Sequence, residues 1–223
     1  MIQPEQVTVR KFSPEDRGSV RRLCCDTGLW GKPIDSLFCD RELFADAIIE
    51  PYLRLEPEHA FVAEYDERVV GYLCGSIEPD FNRRQMPMVL KAFATVFLKY
   101  ATGAYNHHPN SKKFVRNIFT RVWRQAPKTP KGVKAHLHIN LEQEARSIGV
   151  GEKMLKAYEQ MLRENGIDAY YGEVFSSDTR RPDKLYRRLG FEILDRVECS
   201  FLWPAITKPM YAMCICKKLS AEN

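Results

Sequence analysis

One short segment of the chain combines residue types and spacing that suit phosphate binding. The strand-like run 136–141 and four further residues are followed by Arg146, Gly149 and Gly151, and a helical pattern begins there. Glycine lacks a Cβ, so the backbone at Gly149 and Gly151 can approach a ligand closely. The first N–H groups of a helix have no partner within it and lie at the positive end of its dipole, which favours phosphate. As an alternative, the two glycines merely ease packing of the helix against a sheet.

Two common phosphate motifs do not fit this segment, and one family motif does. The chain has no Gly-Lys-Ser or Gly-Lys-Thr, which excludes a P-loop, and Met154 replaces the third glycine of a dinucleotide-binding fingerprint. The spacing of Arg146, Gly149 and Gly151 resembles the R/Q-x-x-G-x-G/A motif of the GNAT acetyltransferase superfamily. The family's second motif, L-Y-x-x-L-G-F, is matched by Leu185, Tyr186, Leu189, Gly190 and Phe191. The resemblance, which covers 135–195, implies an α/β (α+β) GNAT fold with a mixed central sheet, helices on both faces and acetyl-CoA as co-substrate.

By this resemblance, the turn binds the pyrophosphate of acetyl-CoA through its backbone amides. The strands at 135–141 and 169–175 are then expected to splay apart, with the pantetheine arm paired to the backbone between them. The residues expected to contact the coenzyme are Asn140, Leu141, Arg146, Ser147, Ile148, Gly149, Val150, Gly151 and Thr179. Thr179 stands where the family has an asparagine, seven residues before Tyr186, so this last contact departs from the pattern. Neighbouring polar residues at 176–178 could take over its role or only cap the next helix.

Acetylation of an amine also requires proton transfer, because only the neutral amine attacks and a lysine-like amine (pKa ~10.4) is mostly protonated at neutral pH. Tyr186 aligns with the tyrosine that faces the CoA sulfur in many family members, and it is expected to protonate the departing thiolate. Its alternative is a core aromatic residue. The base is less defined, because Ala135 stands where family members carry a strand-borne carboxylate. The candidates for the base are His138, less favourably His136, and Glu173 on the neighbouring strand. A histidine in a strand is more often structural, and a water chain without a dedicated base is a further alternative.

The resemblance therefore implies an N-acetyltransferase that moves the acetyl group of acetyl-CoA to a primary amine of a small molecule or peptide. Two alternatives stay open: a catalytically silent module that binds acyl-CoA or a partner, and an acyltransferase that uses a longer acyl chain or a hydroxyl acceptor. The sequence does not identify the acceptor. A homodimer is also compatible with this interpretation.

The elements that must position these residues follow from local patterns. Before residue 81 we expect a strand near 7–10, a helix starting at Ser13, a helix over 40–52 interrupted at Pro51, and a hairpin of 60–65 and 69–77. After residue 131 we expect strands at 135–141, 169–175, 191–198 and 209–218, with helices at 149–165 and about 180–189. This order predicts a single GNAT-type domain over 1–223.

Residues 81–131 form an insertion between the expected third and fourth strands. They contain eleven Lys and Arg and no Asp or Glu, which leaves 23 basic and 29 acidic residues, a net charge of −6, on the rest of the chain. Two apolar stripes predict a helical hairpin over the acceptor side, made by Val89, Leu90, Phe93, Val96, Phe97 and Tyr100 and by Phe114, Ile118, Phe119 and Trp123. The positive charge fits an acidic acceptor, an anionic surface or the CoA phosphates, or it is only a solvated face. Nucleic acid is not favoured, because no recognised motif accompanies the charge.

The composition is that of a globular protein, with 44% hydrophobic and 28% charged residues. The seven cysteines show neither a disulfide framework nor a C-x-x-C pair, and no third ligand accompanies His107 and His108, so we expect free thiols and no metal. The first residues lack the apolar run of a signal peptide, and the most apolar stretch, 86–97, is shorter than the ~20 residues of a membrane span. These features predict a soluble, cytoplasmic protein with no membrane among its partners.

Overall fold

The computed structural model describes residues 2–122, 125–177, 182–200 and 209–219. In this part of the chain the strands are β1 (Thr8–Lys11), β2 (Ala60–Tyr65), β3 (Arg68–Ser76), β4 (His136–Leu141), β5 (Ala169–Ser177), β6 (Glu192–Glu198) and β7 (Met210–Lys218). They form one mixed sheet in the order β1-β2-β3-β4-β5-β7-β6. Only β4 and β5 pair in parallel; the other neighbours are antiparallel.

The helices of the same residues are α1 (Arg17–Thr27), α2 (Arg41–Ile48), α3 (Glu50–Leu55), α4 (Phe81–Ala101), α5 (Pro109–Arg121), α6 (Val150–Glu164) and α7 (Asp183–Arg188). The helix predicted over 40–52 is divided at Ile49 into α2 and α3, and Pro51 lies in the first turn of α3. Proline is tolerated there because the first N–H groups of a helix lack acceptors. The expected interruption is therefore confirmed, two residues earlier than the proline itself.

The core lies on both faces of the sheet. On one face, Tyr72 and Cys74 of β3 pack with apolar residues of α1, α2, α3 and α5. On the other face, Leu137 of β4 and Tyr170 of β5 pack with the buried stripe of α6, which is Val150, Met154, Leu155, Tyr158, Met161 and Leu162. Helices on both faces of a mixed sheet were expected from the sequence, and this arrangement is confirmed.

The parallel pair at the centre of the sheet is very short. β4 and β5 are paired only at His136 with Tyr171 and at Leu137 with Gly172. Beyond these pairs, β4 continues to Leu141 and β5 to Ser177, each bonded to its other neighbour but not to one another. The separation expected between these two strands is confirmed.

The segment between β3 and β4 forms α4 and α5, as predicted. It is fastened to the rest of the molecule by polar contacts: Lys99 Nζ lies 2.7 Å from the carboxylate of Asp40, and Ser111 Oγ accepts the N–H of Cys39 at 2.9 Å. One prediction is wrong: Leu90 and Phe97 do not pack inward with Val96, because α4 buries only a narrower strip and leaves them exposed. Trp123, predicted at the end of the second stripe, lies outside the described residues.

None of the described helices is long and apolar enough to cross a membrane.

Candidate functional site

The connection from β4 to α6 is a sharp turn with two residues in the left-handed region. Ser147 has φ +62°, and Gly149, which directly precedes α6, has φ +88°. A Cβ added to Gly149 would meet no atom within 4 Å, so the space in front of this residue is open. A Cβ on Gly151 would lie 3.3 Å from Leu141 Cδ1, so the backbone there approaches β4 closely. The turn therefore offers free space at the N-terminus of a fifteen-residue helix, where an anion is favoured.

The remaining residues of the turn hold it in place. Arg146 donates from Nε and Nη2 to the carbonyl oxygen of Leu141, at 2.9 and 2.7 Å. Its Nη1 lies only 1.6 Å from where a Cβ of Gly31 would be, so this guanidinium fits because residue 31 is glycine. Ile148 and Val150 pack in the core on the α6 side. Of the residues predicted to contact the coenzyme, these two can offer only their backbone, and Arg146 would have to leave Leu141 to reach a phosphate.

Two predicted catalytic residues flank the point where the sheet opens. His138 is the first residue of β4 beyond the last β4–β5 pair, and Glu173 is the first residue of β5 beyond it. Side chains alternate along a strand, so His138 lies on the same side as His136, and Glu173 on the same side as Tyr171. Since His136 and Tyr171 are paired, both candidates face one side of the sheet, which is the side covered by α1, α2 and α3.

His138 belongs to a partly buried hydrogen-bonded group. Its Nδ1 lies 3.2 Å from the hydroxyl of Tyr72, and Asn140 Nδ2 donates to the same hydroxyl at 3.0 Å. Burial lowers the pKa of His138 to about 4, so the ring is neutral at physiological pH. Burial also raises the pKa of Tyr72 well above its ordinary value, so this hydroxyl keeps its proton. A neutral His138 held by Tyr72 is a weak base.

Glu173 differs from His138 in its exposure and in the direction of its pKa shift. Glu173 is exposed to solvent, whereas His138 is only partly exposed. Desolvation by the surrounding atoms nevertheless raises the pKa of this carboxyl group above its ordinary value. A raised pKa makes the carboxylate a better proton acceptor than an ordinary glutamate.

His136 is packed among aromatic rings. Its ring centroid lies 5.4 Å from those of Phe81 and Tyr171 and 5.7 Å from that of Tyr52, and its Nδ1 donates to the carbonyl of Lys134 at 3.0 Å. Burial lowers its pKa. These contacts favour the structural interpretation of His136. A small cleft lies beside it, lined by Glu78, Pro79, Phe81, Asn82, Thr129, Pro130, Val133, Lys134, His136 and Tyr171, so both ends of the insertion reach this side of the sheet.

Tyr186 lies in α7 and packs on the other side of the sheet. Its ring contacts that of Phe191 edge-on, with centroids 5.9 Å apart, and it is half-buried against the cluster that contains α6. His138 and Glu173 face the opposite side, so the three predicted catalytic residues do not form one cluster. They can act on one molecule only if it lies in the opening between β4 and β5. Thr179 lies outside the described residues.

Sequence reasoning missed Tyr72 and Gly31. Tyr72 connects His138 to Asn140 because the antiparallel register places Tyr72 opposite Asn140. Gly31 makes room for Arg146, and its only sequence signal was a glycine after an apolar run. The contacts of Tyr72 with His138 and of Gly31 with Arg146 join distant segments, so local sequence patterns do not predict them.

Comparison with known proteins gives a shared architecture at low identity. No protein-family model matches the chain. Solved structures align over nearly its whole length: a protein named SsHAT at 21% identity and a TM-score of 0.59, covering 97% of this chain and 100% of its own. The protein yncA from Salmonella typhimurium, solved with its cofactor acetyl-CoA, has 10% identity and a TM-score of 0.55, with 97% and 96% covered. A polyamine N-acetyltransferase of Drosophila melanogaster, which forms N-acetylagmatine, has 11% identity and a TM-score of 0.54, with 96% and 100% covered. At these identities the likeness shows the fold.

Proposed function

We propose that this chain, which has the fold of the GNAT N-acetyltransferases, transfers an acetyl group from acetyl-CoA to a primary amine. The observation that carries the proposal is the opening between β4 and β5, which leads directly to the open turn at Gly149. An opening between two strands offers unpaired backbone groups to an extended amide-containing arm. The helix N-terminus beyond it offers positive potential to a diphosphate. The likeness to yncA, solved with acetyl-CoA, supports the same choice of ligand.

In this proposal the coenzyme is bound mainly by backbone. The N–H groups at Ser147, Gly149 and Gly151 bind the diphosphate, and the backbone of β4 near Asn140 and Leu141 pairs with the pantetheine arm. The side chain of Asn140 is already bonded to Tyr72, and the carbonyl of Leu141 already accepts from Arg146. Arg146 then contributes chiefly by fixing the turn.

Glu173 is the better candidate for the base. Its exposed carboxylate takes a proton from the ammonium form of the acceptor, and the neutral nitrogen then attacks the thioester carbon. His138 is the weaker candidate, because burial lowers its pKa to about 4 and its Nδ1 already lies 3.2 Å from the Tyr72 hydroxyl, whereas desolvation raises the pKa of Glu173. We therefore rank Glu173 above His138, which is the reverse of the order that the sequence suggested.

Tyr186 completes the reaction as the acid. When the tetrahedral intermediate collapses, the C–S bond breaks and the CoA sulfur leaves as a thiolate, which takes the phenolic proton of Tyr186. An acid on the α6 side and a base on the opposite side suit a thioester that lies in the opening, because the sulfur and the incoming nitrogen are separate substituents of the tetrahedral carbon and need not be served from one side.

The acceptor is an amine of a small molecule or peptide. The Drosophila melanogaster enzyme, which acts on a polyamine-type substrate, supports this general class.

The test has two parts. Acetyl-CoA should raise the unfolding temperature of the protein, and a screen of amines, polyamines, aminosugars and peptides should show release of free thiol from acetyl-CoA. Stabilisation without thiol release would favour the catalytically silent alternative. Stronger stabilisation by propionyl-CoA or succinyl-CoA than by acetyl-CoA would favour a different acyl donor, and no stabilisation by any of them would refute the site.

A further inference from the structure

The outer face of α4 is apolar although it is exposed to solvent. Leu90 and Phe97 are 60% and 57% exposed, and Met86, one turn before Leu90, is 48% exposed. Leu98, on the adjacent side of the helix, is 63% exposed. The inner face of the helix is apolar too, since Ala92 is buried and Val96 packs against the core. A group of large apolar side chains that is exposed to solvent often marks a surface that binds a partner. The exposed apolar side chains of α4 are therefore a candidate docking surface.

The neighbouring helix α5 extends this face and adds positive charge. The ring of Phe119 lies edge-on to those of Phe93 and Phe97, with centroids 5.9 and 5.7 Å apart, and is partly exposed. We use the name α4–α5 surface for eight exposed side chains of these two helices: Met86, Leu90, Lys91, Phe97, Leu98, Lys113, Arg116 and Phe119. Among the residues that the structure describes, its three cations have no ion-pair partner.

The charge of this surface identifies the chemistry of its partner. The segment 81–131 holds eleven basic residues and no acidic one, so two copies meeting through the same surface would bring like charges together. An anionic partner would instead be attracted, while the net charge of −6 on the rest of the chain would be repelled from it. This asymmetry orients the molecule with α4 and α5 towards the partner.

The shape favours a flat partner. Met86, Leu90 and Phe97 follow one another along a 21-residue helix, about 30 Å long. Phenylalanine, leucine and methionine beside lysine and arginine are the residues that helices lying in a membrane interface present to lipid. We propose that the α4–α5 surface docks on an anionic membrane surface, with its apolar side chains at the boundary of the headgroups and its cations on the lipid anions.

The docking surface and the proposed coenzyme site belong to different faces of the sheet. α5 packs in the cluster that contains α1, α2 and α3, whereas α6, which begins at the turn, packs in the cluster on the other face. Docking therefore leaves the turn accessible. The inference does not rest on the proposed function, and either can fail without the other.

Vesicle flotation tests the inference with the full chain. The protein is mixed with vesicles of phosphatidylcholine alone or of phosphatidylcholine and phosphatidylserine in equal parts, at low and high salt. We expect binding only to the vesicles with phosphatidylserine, and weaker binding at high salt. Leu90→Gln and Phe97→Gln should each reduce binding by roughly tenfold or more, because each removes a side chain that lipid would bury. Leu194→Gln, at a 40% exposed leucine of β6, is the matched control and should bind as the unaltered protein does.

The variants change exposed side chains, so they should fold, and thermal unfolding with and without acetyl-CoA checks this directly. Equal binding to both kinds of vesicle, or no binding to either, overturns the inference. So does binding that Leu90→Gln and Phe97→Gln leave unchanged. A dimer in sedimentation velocity that these two variants dissociate, without lipid binding, would show that a second copy covers the surface and would also overturn it.

Discussion

Replacing Gly149 by glutamate tests the coenzyme turn most directly. The open space in front of Gly149 means that the protein itself can accept a side chain there, so the substitution acts on the ligand rather than on the core. A carboxylate placed about 5 Å from a diphosphate at this turn would repel it. At an effective dielectric constant between those of protein surface and water, this repulsion costs about 2–4 kcal/mol for the two phosphate charges, or a roughly 30- to 1000-fold loss of affinity.

The left-handed backbone of Gly149 adds a separate cost that needs its own control. A residue other than glycine at φ +88° is strained by about 1–2 kcal/mol, whatever its charge. Gly166, at the end of α6, has φ +70° and likewise no atom within 4 Å of an added Cβ. Gly166→Glu therefore imposes a similar strain and the same charge away from the turn. Gly149→Gln keeps the bulk at the turn and removes the charge.

Calorimetric titration with acetyl-CoA compares the four proteins. We expect nearly unaltered affinity for Gly166→Glu, weaker binding for Gly149→Gln and the weakest binding for Gly149→Glu. All three variants should lose similar stability in thermal unfolding without ligand. Equal affinities for Gly149→Glu and Gly166→Glu would show that the diphosphate does not bind at this turn.

Three further predictions concern the groups around the opening. Glu173→Gln should lower turnover by about 10²–10⁴-fold with unchanged acetyl-CoA affinity. Because the pKa of Glu173 is raised and the base must be deprotonated, the activity of the unaltered protein should fall on acidification at a higher pH than an ordinary glutamate would give. Glu173→Gln should remove this acidic limb of the pH profile. Tyr186→Phe should slow turnover and leave coenzyme affinity intact, and full activity of this variant would remove Tyr186 from the mechanism. The pKa of His138 is about 4 in the folded protein and ~6.5 in the unfolded chain, so the folded state binds fewer protons between these values. The free energy of unfolding should therefore fall by about 2–3 kcal/mol as the pH drops from 6.5 to 4. His138→Gln should flatten this dependence and His107→Gln, at an exposed histidine, should not; urea denaturation across that range measures both.

Local patterns predicted the elements that carry the site. The strand at 136–141, the glycines after it and the stripe of α6 lie close together in the sequence, and each follows from side-chain periodicity and glycine chemistry. The hairpin of β2 and β3 and the helices of the insertion were found for the same reason. Their backbone hydrogen bonds are local or depend on one short turn.

Contacts between distant segments could not be predicted in this way. The bond between Tyr72 and His138 joins residues 66 positions apart, and it depends on a register that is set across the whole insertion. The place of Arg146 depends on a glycine in a different part of the chain. Periodicity also failed on α4, because its apolar residues are spread over more than one face and do not show which side is buried. These are properties of tertiary packing, and the sequence carries no local signal for them.

The two-pair contact between β4 and β5 makes the sheet almost two sheets. One part has four strands and the other three, and their backbones share only the neighbourhood of His136 and Leu137. α6 also joins the parts, because its side chains pack in one cluster with residues of both. A molecule that filled the gap and hydrogen-bonded to both strand edges would connect the two parts of the sheet. The rigidity of the whole molecule would then depend on the ligand concentration.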